Sequence, residues 1–207
     1  MNIEEKLKIT RQIREIIYEY RFPVHILTKS TLVTRDFDLI REILKQPYFQ
    51  MAYAQEMVPF LTISLSTLDR KLAKKVEPGA PPPEERLEII KKAKSFGINT
   101  GIAFIPNLPF LSDSKNAMGS MLYTSKKAGA DYIFVGTLTL FGNSPQDSRV
   151  SFYRFIEKSY PHLFASYQKM YGISFSPPGN YTKRLYEMWK TETTRQNLHV
   201  GLPGCET

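Results

Sequence analysis

Apolar runs alternate with amphipathic helical stretches along most of the chain. Four runs have the length and the β-branched and aromatic content of buried strands, near residues 24–28, 60–65, 99–105 and 132–140. Regularly spaced apolar positions between them predict helices, and glycines and prolines mark the helix ends. Strands connected through helices pair in parallel, so the loops after the strands lie along one rim of the sheet. The pattern therefore predicts an α/β fold, either half of a (β/α) barrel or a small open sheet.

The segment 60–108 contains two of these strands and the rim that follows each of them. Ser64 and Ser66 share one parity along the first of the two strands, which places both on the same face. Ser66 also lies three residues before Asp69, a spacing suited to capping the helix that follows. The two hydroxyls therefore either cap and close the strand end or face the interior of the fold.

Lys29 lies just past the first predicted strand, between the hydroxyls of Thr28 and Ser30. A lysine in this setting either contacts a carboxylate or phosphate or belongs to a solvated surface turn. From the spacing alone the solvated turn is the expected interpretation. His25, within the strand, is expected to pack against a helix rather than to bind a metal.

Arg86 lies early in the helix predicted from about residue 84 to residue 95. A positive charge in the first turn opposes the helix dipole, so the guanidinium is expected to pair with a carboxylate. The expected partner is Glu84, Glu85 or an acidic residue further upstream.

The chain divides into a predicted barrel portion, residues 1–145, and a C-terminal helical extension and tail, residues 146–207. Gly136, inside the last apolar strand, indicates a bulge or a close approach of two backbones. The helical extension is rich in aromatic side chains, which either stack on nucleic-acid bases or pack in a core or interface. Packing is the expected role for all six of them: Phe152, Tyr153, Phe155, Tyr160, Phe164 and Tyr167.

Composition adds a basic balance to this picture. The chain has 207 residues, of which 42% are hydrophobic and 23% charged, as in ordinary globular domains. Its net charge of +8 reflects either solvated lysine faces on helices or attraction to a polyanion such as nucleic acid. Cys205 is the single cysteine, which excludes an internal disulfide and is compatible with a cytoplasmic protein. No spacing predicts a membrane span or a metal site, and no catalytic residue can be assigned.

Three stretches of the chain form a recognisable set. The first is Thr28-Lys29-Ser30, followed by Arg35-Asp36-x-Asp38-Leu39. The second is Ser64-Leu65-Ser66-Thr67-Leu68-Asp69, followed by Glu77-Pro78-x-Ala80-Pro81-x-Pro83-x-x-Arg86-Leu87. The third comprises Gly97-Ile98, Ala103-Phe104-Ile105-Pro106-x-Leu108 and Ala128-Gly129-Ala130. Over roughly residues 9–195, this set resembles the spore photoproduct lyase-like branch of the radical SAM superfamily, whose members use S-adenosylmethionine (SAM) and include DNA-repair lyases.

The resemblance implies a partial parallel (β/α) barrel, with about four strands of a (β/α)6 half-barrel followed by C-terminal helices. It also implies that SAM lies at the C-terminal rim of the strands. Lys29 and Ser64 resemble residues that contact SAM in that branch. Weaker candidates are Thr28, Ser66 and the backbone near Ile105 and Pro106.

The chain departs from the pattern of this branch at the cofactor loops. The CxxxCxxC loop that binds the [4Fe–4S] cluster and the glycine-rich segment after the second strand are both missing. The loop after Pro106 lacks the usual Gly-Leu-Asn-Asp, and Thr139 stands where many relatives carry arginine. The chain is therefore expected to be a fragment of a longer enzyme or a reduced descendant with another role. It is not expected to cleave SAM reductively by itself, so whether it is an enzyme stays open.

A barrel that lacks two strands has a bare edge and an open inner face at its first strand. We expect an upstream segment or partner chain to complete it, another copy to pair with it, or residues 48–59 to cover the gap. Two functions compete with a radical SAM-type barrel portion. One is a non-enzymatic α/β binding or scaffold protein whose basic surface holds nucleic acid or a protein partner. The other is an unrelated barrel enzyme that acts on a phosphorylated small molecule through Lys29.

Overall fold

A computed structural model describes residues 3–22, 24–47 and 61–201 of the chain. The predicted cover at residues 48–59 and Cys205 therefore lie outside the described residues. The described part contains one parallel sheet in the order β1-β2-β3-β4-β5, and the sheet is not closed. Its strands are β1 (Ile26–Thr28), β2 (Leu61–Ser64), β3 (Thr100–Asn107), β4 (Tyr132–Thr137) and β5 (His199–Val200). The predicted partial parallel barrel is confirmed, and β5 is a short fifth strand that the sequence pattern did not predict.

Helices connect the strands and follow the last long one. They are α1 (Ile3–Leu7), α2 (Ile9–Tyr20), α3 (Phe37–Leu44), α4 (Arg70–Val76), α5 (Pro83–Ser95), α6 (Lys115–Ala128), α7 (Ser148–Ser159), α8 (Phe164–Tyr171) and α9 (Gly179–Gln196). Short 3-10 helices, Thr31–Asp36 and Pro161–Leu163, precede α3 and α8. α1 and α2 are separated at Lys8, whose φ of 52° lies in the left-handed region.

The main core lies between one face of the sheet and the helices packed against it. Strand residues of one parity supply the sheet side, including Ile63, Ile102 and Ile133, which are in register across three strands. Side chains of α3, α5, α6 and α9 cover them, and Trp189 of α9 meets Phe104 edge to face at 5.0 Å between ring centroids. Burying this apolar surface is the main force that holds the sheet and helices together.

A second, smaller core joins the C-terminal helices to the loops after β3 and β4. Leu108, Leu138 and Leu140 from those loops pack against Ile156 of α7 and Tyr167 of α8. All six aromatic residues predicted to pack in the extension belong to this cluster: Phe152, Tyr153, Phe155, Tyr160, Phe164 and Tyr167. The helical extension therefore covers part of the rim at which the strands end.

A buried ion cluster fixes α2 to the start of α3. The carboxylate of Asp36 is fully buried and pairs with Arg11, Arg14 and Arg35. Arg11 also reaches Asp38 at 3.1 Å, so one guanidinium joins two carboxylates. The motif Arg35-Asp36-x-Asp38 therefore makes a structural clamp here. In the described part of the chain, no helix is both long enough and apolar enough to cross a bilayer.

Candidate functional site

The C-terminal ends of the strands lie along one rim, as the parallel pairing requires. Thr28 ends β1 and Ser64 ends β2, and Lys29 and Ser66 follow them within two residues. Ile105 and Pro106 lie in β3, close to the same rim. The structure thus brings the predicted cofactor-contact residues to one edge of the sheet.

Lys29 belongs to a three-residue ion network at this rim. Its ammonium lies 3.0 Å from Oε1 of Glu77, and the other oxygen, Oε2, lies 2.5 Å from Nη2 of Arg86. Glu77 and Arg86 are buried, whereas the Lys29 side chain is 43% exposed. Two cations share one carboxylate, so the network carries one net positive charge, and its accessible member is Lys29. Such a centre attracts an anionic group, but the ammonium is already partly neutralised.

Arg86 ties this network to the strands and to the proline connector. Its Nη1 donates to the carbonyl of Ser64 at 2.9 Å, and its Nε donates to the carbonyl of Pro81 at 2.7 Å. The partner expected upstream of the helix is thus Glu77, while Glu84 pairs with Arg70 instead. The buried guanidinium therefore fixes the end of β2 relative to α5.

Ser66 has a different role from the capping role suggested by its spacing. Asp69 caps α4 itself, because its side chain accepts from the backbone N–H groups of Lys71 and Leu72. The Ser66 side chain is buried, and within the described residues its hydroxyl has no hydrogen-bond partner. Leaving a buried hydroxyl without a partner costs about 1–3 kcal/mol. The capping interpretation is therefore wrong, and Ser66 offers an unused donor at the rim.

The turn after β1 uses its hydroxyls locally. Oγ1 of Thr28 accepts from the backbone N–H of Ser30 at 2.9 Å, and Oγ of Ser30 accepts from Leu32 at 3.2 Å. These bonds make Thr28 and Ser30 turn-forming residues. Lys29, between these two residues, instead forms an ion pair with Glu77 at the rim.

The third part of the rim is the end of β3. The register between β3 and β4 shifts between Phe104 and Asn107, and the Ile105–Pro106 bond is cis. A Cβ placed on Gly136 would lie 3.0 Å from the Ile105 side chain, so this glycine makes room for a side chain of the paired strand next to the register shift. Asn107 is fully buried, and its Oδ1 has no hydrogen-bond partner among the described residues. The sequence analysis missed Asn107, although a carboxamide at the end of an apolar strand could have marked it.

A chain of polar side chains crosses the inner face of the sheet. Nε2 of His25 lies 2.6 Å from Oγ1 of Thr62, which in turn lies 2.5 Å from Oη of Tyr132. Burial raises the pKa of the Tyr132 hydroxyl to about 12 and lowers the pKa of His25. The Tyr132 ring reaches Thr62 across Gly101 of the intervening strand. His25 thus binds a neighbouring strand, in contrast to the helix contact that was expected.

The resemblance leads us to expect two groups at such a rim, a [4Fe–4S] cluster and SAM. A [4Fe–4S] cluster does not fit, because it needs several thiolates and the chain has one cysteine. The described residues also contain no group of three or more metal-ligating side chains. The donor set matches part of SAM, since the exposed ammonium of Lys29 can approach a carboxylate and the buried Ser66 hydroxyl has no hydrogen-bond partner among the described residues.

A pocket of about 180 Å³ lies beside this rim, between the turn after β2 and α6. Thr67, Asp69, Ser112 and Ser120 give it a polar lining, and Phe104 contributes an apolar wall. Pockets that enclose small-molecule ligands usually measure roughly 300–1,000 Å³. This pocket is therefore too small to enclose a nucleoside cofactor by itself.

Sequence comparison finds longer relatives. A protein of Mycobacterium tuberculosis is 31% identical over 165 residues, which are 80% of this chain and 44% of that protein. A Methanocaldococcus jannaschii protein is 26% identical over 162 residues, covering 78% of this chain and 53% of its own length. A protein of Acidianus two-tailed virus is 34% identical over 112 residues, or 53% of this chain and 33% of the viral protein. The chain spans about half or less of the length of these relatives, and no protein-family model matches it.

Comparison with solved structures identifies the fold. One variant of spore photoproduct lyase superposes with a TM-score of 0.60 and 14% sequence identity, over 96% of this chain and 56% of the lyase. A second variant of that lyase gives a TM-score of 0.57 at 13% identity, over 91% of this chain and 54% of the lyase. The chain therefore shares the fold of the matched part of the lyase, and it covers a little over half of that protein's length.

Proposed function

We propose that this chain is the SAM-binding, C-terminal barrel portion of a radical SAM-type protein resembling spore photoproduct lyase-like enzymes. The observation that carries the proposal is the buried Ser66 hydroxyl, which lacks a partner among the described residues and lies on the rim that holds Lys29. A buried donor without a partner is costly, so its presence at the rim favours a bound group that satisfies it. The fold shared with the lyase makes SAM the first ligand to test.

Each rim residue has a definite task in this proposal. The ammonium of Lys29 attracts the SAM carboxylate, while Glu77 and Arg86 hold the lysine and the end of β2 in place. The Ser66 hydroxyl donates to a polar atom of the ligand, and Ile105 and Pro106 provide a surface for it. Bound SAM would supply the radical chemistry of the superfamily, with an iron–sulfur cluster as the source of the electron.

The cluster itself is assigned to another polypeptide segment, because the residues of this chain cannot hold it. The residues described here can bind and orient SAM, but they provide no route for an electron to reach it. The purified chain is therefore expected to bind SAM without cleaving it.

Replacement of Ser66 with alanine tests the proposal through two opposite effects. In the free protein the change removes an unpaired buried hydroxyl, so the melting temperature is expected to stay the same or rise. In the complex it removes a ligand contact, and we expect SAM affinity to fall about tenfold, the equivalent of about 1.4 kcal/mol. Isothermal titration calorimetry and thermal unfolding measure the two effects. A loss of stability without a loss of SAM affinity would make Ser66 a structural residue only.

Replacement of Lys29 with alanine is expected to abolish detectable SAM binding by calorimetry. Glu77 keeps its closer partner Arg86, and the Lys29 side chain is 43% exposed, so stability is expected to fall by no more than about 1 kcal/mol. Lys45→Ala is the matched control, because Lys45 is also exposed and pairs with a glutamate, at 2.8 Å. If the unmodified chain fails to bind at millimolar SAM, the cofactor proposal is wrong. Salt-dependent DNA binding then becomes the next property to measure.

A further inference from the structure

The amphipathic helix α2 is oriented with its charged face inward. Arg14 is its one buried residue, at 8% exposure, while Ile13 is 50% exposed. Ile9, Ile13, Ile16 and Tyr20 are spaced by four, three and four residues, so they form a single exposed stripe along the helix. A surface helix of a globular protein normally buries its apolar stripe against the core. The exposed stripe of α2 therefore indicates a surface for a partner.

The exposed stripe is held in a fixed orientation. Arg11 and Arg14 both pair with the fully buried carboxylate of Asp36, and Gln46 after α3 donates to the carbonyl of Tyr18 at 2.8 Å. These contacts come from the side of α2 that faces the protein. Ile17 also packs against the main core from this side, so Ile9, Ile13 and Ile16 point outward.

The stripe is close in the sequence to the open edge of the sheet. Residues 21–25 alone separate α2 from β1, and within the described residues β1 pairs with β2 on one side only. Phe22 and Leu27 are exposed at this same end of the molecule. An unpaired strand edge next to an apolar helix face is suited to receiving another strand together with its helix.

We infer that α2 and β1 form a docking seam for a polypeptide that extends the sheet by a parallel strand and covers the isoleucine stripe with an apolar face. The length comparison supports this occupant: nearly all of the chain superposes on the lyase, yet it covers only 56% of it. A second copy fits less well, because a two-fold axis at this edge would pair β1 with its own copy antiparallel. The inference rests on the proposal that the chain is a portion of a barrel, and it does not require that the chain binds SAM.

The probe for this seam is the portion of the Mycobacterium tuberculosis relative that lies outside the matched 165 residues. Co-expressed with this chain, the probe is expected to form a one-to-one complex in native mass spectrometry. Hydrogen exchange is expected to slow at the amides of Ile26–Thr28 and within α2. The matched 165-residue segment of the relative, paired with the same probe, serves as the positive reference.

Ile13→Asp is expected to weaken the complex about tenfold or more, because it places a charge in the centre of the apolar stripe. Tyr186→Asp on α9 is the matched control, since Tyr186 is 51% exposed and lies on another helix, and it is expected to leave the affinity unchanged. The inference is overturned if the relative's own segment binds the probe and this chain does not. It is also overturned if this chain instead forms a homodimer that Ile13→Asp dissociates. A complex that forms while SAM fails to bind would remove the cofactor proposal and leave the seam intact.

Discussion

Replacing Asp36 with alanine is expected to lower the free energy of unfolding by about 3–5 kcal/mol, since it leaves buried positive charge without its counterion. The carboxylate is fully buried and is the shared partner of Arg11, Arg14 and Arg35. Arg14 has the most to lose, because its side chain is 10% exposed and cannot reach bulk water without moving α2. Urea unfolding followed by circular dichroism measures the change.

Asp38→Ala is the control for this experiment. Asp38 belongs to the same cluster and pairs with Arg11, but its side chain is 63% exposed. A surface pair of this kind contributes no more than about 1 kcal/mol, so the two aspartates should differ severalfold. Equal losses for the two variants would show that burial of the carboxylate does not control the stability of the clamp.

The same carboxylate makes the fold sensitive to acid. Burial alone would raise the pKa of Asp36, but hydrogen bonds from Arg35 and Arg11 and the charges of Arg14 and Arg35 outweigh it, so the pKa lies below its usual value. A lowered pKa stabilises the folded state above the unfolded-state pKa of about 3.9, and this contribution is lost as the pH falls through the folded-state pKa. Asp36→Asn is therefore expected to reduce the dependence of the free energy of unfolding on pH in the acid range. If this pH dependence is unchanged in the variant, other carboxylates cause the acid sensitivity.

The sequence predicted the sheet well because its evidence is local. The run 61–64 records burial on both faces of a strand, and helix ends such as Gly129 record backbone geometry. β5 escaped prediction because two residues, His199 and Val200, carry too little pattern to identify a strand. Its position depends on contacts with β4, which are distant in the chain.

The orientation of α2 shows where hydrophobic patterning stops being informative. The spacing of Ile9, Ile13 and Ile16 predicts an apolar face but does not say what covers it. In the folded chain the ion pairs at Asp36 and the packing of Ile17 against the main core hold the side of α2 that faces inward. The isoleucines therefore remain available to a partner, an outcome that periodicity within one chain cannot reveal.

The rim was predictable for a general reason, and its details were not. Parallel pairing alone brings Lys29, Ser64 and Ser66 to one edge, and the expected partners of Arg86 included an acidic residue upstream of the helix. Glu77 pairs with two cations, Lys29, which precedes it in the sequence, and Arg86, which follows it. No local pattern marks such a shared carboxylate in advance.

Gly101→Ala is expected to destabilise the fold by about 3 kcal/mol or more. Gly101 is in register with Tyr132 and Thr62, and a Cβ at this position would overlap the Tyr132 ring. The ring is fully buried and its hydroxyl is bound to Thr62, so it has no free space into which to move. The inner face would lose both the aromatic packing and the hydrogen bond. Chemical unfolding of the variant measures the loss.

Two further variants separate this overlap from a general intolerance of alanine. Gly119→Ala in α6 meets no atom within 4 Å, so there the same change is expected to stabilise the protein by about 0.5–1 kcal/mol. In a Tyr132→Ala background the ring is gone, and Gly101→Ala should then cost much less than in the parent. A large cost that persists without the ring would place the constraint in the backbone of β3. If the cost disappears, Gly101 is required because the Tyr132 ring must cross β3 to reach Thr62, beneath the rim that holds Lys29 and Ser66.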